Sequence, residues 1–135
     1  LQEGSLDRIE RIRDRDRIMR LFGMELEEIT DGFARVSATV GEDCLNFHDI
    51  AHGALVFAVA DVAFAFVVNA QIDAVGVQWN MNLFRSAALG DEIVAECRLV
   101  HKGRRLMVVD FTVKGCEERL LACGQATAMP VQSQV

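Results

Sequence analysis

Hydrophobic and polar positions divide this chain of 135 residues into four regimes. From Leu6 to Leu21 charges are dense, while Ile9, Ile12, Ile18 and Leu21 recur at intervals near three. That spacing predicts an N-terminal surface helix within residues 1–21, carrying a thin apolar stripe and ended by Gly23. Next, Met24–Ile29 and Phe33–Val40 flank Asp31-Gly32, and Asp-Gly between two alternating runs predicts a β-hairpin. Phe33 shares the parity of Arg35, Ser37 and Thr39, so it falls on the polar face unless a bulge intervenes. After a polar loop from Gly41 to His52, the run from Ala54 to Ala70 has only Asp61 and Asn69 as polar side chains. Its length exceeds an ordinary strand and its alanines favour a helix, so a central helix over 53–70 is expected, apolar all round. Beyond it, Ala74–Phe84, Glu92–His101, Arg105–Val113 and Arg119–Met129 read as strands. Gly90-Asp91, Lys102-Gly103-Arg104 and Lys114–Glu118 supply the turns. The short turns between the last three strands favour antiparallel hairpins.

The order helix, hairpin, long helix, four strands predicts a single α+β domain over 1–135, with one antiparallel sheet wrapped around the central helix. A single sheet covers only one side of such a helix. A homodimer is therefore expected, with the two central helices enclosed between two sheets. A membrane span is a poorer reading, because the run is short for one and a central Asp is costly in lipid.

Charge and cysteine usage narrow the setting. The net charge of −6 argues against a nucleic-acid partner, which needs a basic face, although a few local cations can still serve a phosphorylated small ligand. Cys44, Cys97, Cys116 and Cys123 form no C-x-x-C pair, and a chain this apolar needs no disulfide staples. Reduced thiols in a cytoplasmic protein are expected. The opening residues are charged, unlike a secretory leader.

Candidate chemistry starts at Asp61, set mid-helix among Ala58, Val59, Ala60, Val62, Ala63 and Phe64. An ionised carboxylate in apolar surroundings is costly unless paired, and such groups often have raised pKa values and serve as bases or nucleophiles. The plainer alternative is a carboxylate satisfied by backbone or by a salt bridge. Gly53 opens the same helix, where free N–H groups and the helix dipole attract developing negative charge. A glycine there also lets a substrate oxygen approach closely, as an oxyanion hole requires. Eight residues separate the two, about 12 Å along one helix. One helix cannot bring both to one carbon, but two antiparallel helices across a dimer axis can, giving two equivalent sites.

Other constellations weigh less. Cys44, His48 and His52 fall at spacings of four but lack a fourth ligand, so no metal is expected. Cys44 with His48 as a nucleophilic pair would sit on an irregular loop, where a loop cysteine and a solvated histidine are the simpler reading. Lys102, Arg104 and Arg105 form a basic turn, suited to phosphates or simply a solvated hairpin tip. Phe57, Phe64, Trp79 and Phe84 read mainly as core, with some lining any acyl pocket.

Leu45-Asn46, five residues, His52-Gly53-Ala54, and then Ala60-Asp61-Val62-Ala63-Phe64-Ala65 together resemble the hotdog-fold acyl-CoA thioesterases of the phenylacetic acid degradation type. The similarity continues through Asn82-Leu83-Phe84-Arg85 and Gly90-Asp91 and covers residues 22–129. The resemblance implies a hotdog fold, a homodimer or homotetramer, and hydrolysis of acyl-CoA to acid and CoA without metal or cofactor. It implies Asp61 as base or nucleophile, the Gly53 N–H on the thioester carbonyl, and Asn46 holding the water or carbonyl. His52 would shape the turn into the helix, with Ala54 and Arg85 also at the substrate. CoA phosphates would lie near turns such as Lys102, Arg104 and Arg105. Three departures stand out: Ala54 for the second glycine, Ser86 for a proline, and Asn80 near a threonine that assists substrate or water. Rival readings are a hydratase or dehydratase using His48 or His52, and a non-catalytic acyl-CoA-binding protein on the same fold.

Overall fold

The long apolar run folds as α3 (Gly53–Val68), and one antiparallel sheet curls around it. The computed structural model describes residues 1–131; the last four of the expected domain, 132–135, lie outside the described residues. Ahead of α3 come α1 (Ser5–Arg15), α2 (Arg17–Leu21), β1 (Glu25–Thr30) and β2 (Phe33–Thr39). After it come β3 (Ala74–Leu83), β4 (Glu92–Lys102), β5 (Met107–Lys114) and β6 (Leu120–Pro130). The six strands lie in the order β1-β2-β4-β5-β6-β3, every pair antiparallel.

Burial of apolar surface holds helix to sheet. Leu55, Val59, Val62 and Phe66 of α3 share one core with Val36, Ile93, Ala95, Val109 and Val113. Trp79 packs between Phe57, Phe64 and Phe111, with ring centroids 4.8, 5.0 and 5.3 Å away. The helix stops at Val68, not Ala70, because Asn69 turns the chain. Its Nδ2 donates to the Ala65 carbonyl at 3.0 Å and its Oδ1 accepts from Ala74 N at 2.7 Å, joining the helix end to β3.

The expectation at the N-terminus needs correcting. The N-terminal helix is two helices, because Asp16 leaves the helical region (ψ 109°) and accepts from Met19 N at 2.9 Å as the N-cap of α2. The break resets the helical phase, so Ile9 and Met19 are buried while Ile18 and Leu21 are exposed. Phe33 does lie on the polar face with Arg35, without a bulge in β2. It is covered there by the guanidiniums of Arg98 and Arg35, 4.6 and 5.4 Å from its ring centre. The sheet covers α3 on one side and leaves another open. Ala54 and Asp61 are exposed, and Gly53, Phe57, Ala58 and Ala65 are half-buried, making one open stripe at helical spacing.

The sheet ends at β3, whose outer edge pairs with no strand among the described residues. Val75, Val77 and Leu83 on it are exposed, as is Phe84 just beyond. On its paired side β3 approaches β6 so closely that a Cβ on Gly124 would fall 1.9 Å from the Asn80 carbonyl oxygen.

Candidate active site

The loop before α3 is built around Asn46. Its side-chain oxygen accepts from His48 N at 2.9 Å and Ile50 N at 3.4 Å, while its own N–H donates to the Ile50 carbonyl. These bonds close a tight turn in which Asp49 takes φ 63°. Two bonds then anchor the chain entering the helix: His52 N to the Cys44 carbonyl at 2.7 Å, and Ala51 N to the Ala87 carbonyl at 2.9 Å.

Hydrogen bonding at the start of α3 selects one free donor. His52 Nδ1 accepts from Ala54 N at 2.9 Å, and the Leu55 N–H reaches the His52 carbonyl at 3.0 Å. The Gly53 N–H donates to no group among the described residues. A methyl built at Gly53 would have no neighbour within 4 Å, and the backbone there is ordinary helix. This chain's own packing therefore does not demand a glycine, and the space where a side chain would stand is open. Asn46, Gly53, Val56, Phe84 and Arg85 line one concavity of about 340 Å³. Its N–H donor and cationic rim suit an acyl oxygen and an anionic substrate.

Asp61 is absent from that concavity. It stands two turns along α3 on the open stripe, with no cation paired to it among the described residues. Its side chain meets solvent on one side, yet apolar neighbours crowd it on the other. That desolvation raises its pKa above the ordinary carboxylate value, and repulsion from Asp16 adds to the rise. Beneath it the buried Cys97 thiol donates to the Ala60 carbonyl at 3.5 Å, and burial, helped by Asp61, pushes that thiol's pKa well up. Cys97 is thus a packed thiol and not a nucleophile.

The remaining expected residues scatter. Along β3, Trp79 and Met81 face the helix side, while Asn80 is exposed opposite Gln125, whose amide donates to Asp110 at 2.7 Å. The alternation of the strand thus sets Asn80 on the outer face of the sheet, away from Trp79 and Met81. Lys102 lies at the far end of α3 from Gly53, bonded to Gln71 and lining a separate concavity of about 610 Å³ with Val67, Val68 and Arg98. Arg104 and Arg105 are exposed in the adjoining turn. His48 lies against the exposed Phe47, ring centroids 3.8 Å apart and tilted by 39°, and among the described residues no group of three His, Cys, Asp or Glu side chains could hold a metal ion. Asp16 was not among the expected site residues. A cap three positions ahead of a buried Met was the available signal, hidden in a segment where charge is everywhere.

Comparison with known proteins bears on the family and the fold. Residues 48–122 match the family model described as the thioesterase superfamily. The acyl-coenzyme A thioesterase PaaI of Escherichia coli K12 is 29% identical over 110 residues, which is 81% of this chain and 79% of that protein. The solved E. coli PaaI structure, from the phenylacetic acid degradation operon, superposes with a TM-score of 0.91 at 25% identity, over 95% of this chain and 94% of that one. A hypothetical thioesterase protein of Streptococcus pneumoniae TIGR4, solved with coenzyme A, gives a TM-score of 0.82 at 25% identity, covering 89% and 96%.

Proposed function

Since the chain belongs to the thioesterase superfamily and has its hotdog fold, we propose that it hydrolyses an acyl-CoA thioester at a site shared between two copies of itself. Asp61 is the general base that takes a proton from water as the water oxygen attacks the thioester carbon. The Gly53 N–H of the partner copy holds the developing oxyanion, and Asn46 orders the loop beside it. Collapse of the tetrahedral intermediate breaks the C–S bond, releasing the carboxylic acid and CoA thiolate, which takes up a proton. Thiolate is a good leaving group, so no strong protein acid is needed.

The observation that carries this reading is the division of labour along α3. Its free N-terminal N–H belongs to Gly53, which lines one concavity, while its raised-pKa carboxylate stands about 12 Å further on along an uncovered stripe. Antiparallel pairing of two such stripes brings the halves together. The free edge of β3, with Val75, Val77 and Leu83 exposed, offers a route to that pairing by extending the sheet. The same pairing carries the Lys102, Arg104 and Arg105 turn of one copy toward the Gly53 end of the other, where it can meet CoA phosphates. Similarity to PaaI favours an aryl-acyl-CoA such as phenylacetyl-CoA or a hydroxylated relative. No described helix is long and apolar enough to cross a membrane, and a cytoplasmic setting fits the reduced cysteines. The hydratase alternative is less well supported: His52 is committed to its cap, and neither His52 nor His48 pairs with an acid among the described residues.

The test is release of free thiol from a panel of aryl- and alkyl-CoA esters by the wild-type protein and Asp61→Asn. The variant should keep the fold and lose at least ~100-fold in turnover. Binding of CoA esters by the wild type without thiol release would favour a carrier instead.

A further inference from the structure

We infer that Phe57 is a specificity-determining residue of this site: its ring stands one turn beyond Gly53 on the open stripe of α3, backed by Trp79, and limits how far an acyl group can extend from the oxyanion donor. This rests on the reading of Gly53 as that donor, and adds to it the size of acyl group accepted.

Helical spacing makes the placement. Gly53, Phe57 and Asp61 follow at intervals of four, so they share one face of α3. Phe57 is the one large apolar side chain on the open stripe, whose other members are Gly53, Ala54, Ala58, Asp61 and Ala65. It lies roughly 6 Å along the helix axis from Gly53. A span of that size takes one aromatic ring on a short linker and is overrun by an extended alkyl chain. Apolar side chains lead up to it. From the concavity that Gly53 and Leu83 both line, the helix-facing positions of β3 continue through Met81 to Trp79 in two-residue steps. Met81 and Trp79 are only partly covered by the core.

The ring is held in place. Trp79 meets it edge-on, with centroids 4.8 Å apart and planes at 62°. Trp79 is itself wedged against Phe64 and Phe111, and a Cβ on Gly76 would fall 2.9 Å from its Nε1. The indole therefore has no room to retreat toward its own strand and let Phe57 swing inward. Symmetry closes the path from the other side. Residue 57 is midway between 53 and 61, so a twofold axis that sets Gly53 against the partner's Asp61 also sets Phe57 against the partner's Phe57. The two rings form one wall between the two sites.

Thiol release from phenylacetyl-CoA and from straight-chain esters between acetyl-CoA and decanoyl-CoA should be measured for wild type, Phe57→Leu and Phe57→Ala, together with melting temperatures. Wild type should prefer phenylacetyl-CoA to decanoyl-CoA. Phe57→Ala should raise the decanoyl-to-phenylacetyl ratio of kcat/KM by at least about tenfold, and Phe57→Leu by less, as expected where a pocket wall loses several carbon atoms. A side chain that only packs would lower every ester together with the melting temperature and leave the ratio unchanged. Trp79 is the sole tryptophan, so its emission gives a second readout that needs no turnover. In Asp61→Asn, phenylacetyl-CoA should change that emission and CoA alone should not. An unchanged ratio in Phe57→Ala, or emission blind to the acyl group, would overturn the inference while hydrolysis by the wild type stands. No thiol release from any ester by the wild type would instead remove the proposed activity, and the inference with it.

Discussion

Asp61 sits where folding alone would prefer an uncharged side chain. Its pKa in the folded chain is raised, chiefly by desolvation, so protonation favours the native state. Its contribution to stability is greatest below the unfolded carboxylate pKa and is lost as pH rises through the folded value. Asp61→Asn should therefore raise the melting temperature at pH 7 more than at pH 4, the reverse of its effect on activity. Melting curves at the two pH values check this; a variant less stable at pH 7 would contradict it. Gly53 permits a cleaner probe of the donor than alanine does. Proline is favoured at the first position of a helix, and His52 before it already has the extended backbone that proline demands (φ −65°, ψ 140°). Gly53→Pro removes the free N–H with little strain, and should cut kcat about 10²–10³-fold with circular dichroism unchanged. Both residues were legible in the sequence because each breaks its surroundings: one charge in an apolar run, one glycine at its start. Asp16 was not legible as a helix break, since acids and bases fill every neighbouring position and only the fold shows which one caps α2.

The elements themselves were largely legible, and the exceptions have local causes. Period and turn chemistry located the hairpin, the long helix and the last four strands to within a few residues. Neither reports that a single Asp will cap a second helix in place of continuing the first. Nor does alternation show that two guanidiniums will cover Phe33 on the outer face. The attachment of α1 illustrates how weak surface pairs still orient an element. Asp73 accepts from Arg8 at 2.7 Å and Arg11 at 3.0 Å, and its pKa is lowered, first by the Arg8 hydrogen bond. This stabilisation is present above the unfolded carboxylate pKa and is lost as pH falls through the lowered value. Because Asp73 is 57% exposed, Asp73→Asn should cost under ~1 kcal/mol at neutral pH, less in high salt, by chemical denaturation. Gly124 lies at the other extreme. Its alanine variant puts a methyl into the Asn80 backbone, so β6 and β3 must part, and a loss on the order of 3 kcal/mol is expected in the same assay.

At the scale of the molecule, the order of elements foretold a sheet around a helix, but not that β3 would cross to the far edge beside β6. That pairing is between strands distant in sequence, and no local pattern records it. It matters because it leaves β3 as a free edge next to the uncovered stripe of α3, so the incomplete half of the site and the unpaired part of the sheet lie on one side. The central claim is that the two halves of each active site come from different copies of the chain. Asp61→Asn and Gly53→Pro, each inactive alone, should be co-expressed with different tags, the mixed oligomers isolated, and thiol release measured. One working site is expected in each mixed pair, formed by the intact Asp61 of one copy and the intact Gly53 of the other, and so about half the wild-type rate. Mixed pairs as inactive as the two parents would contradict it, placing both groups of a site on one chain.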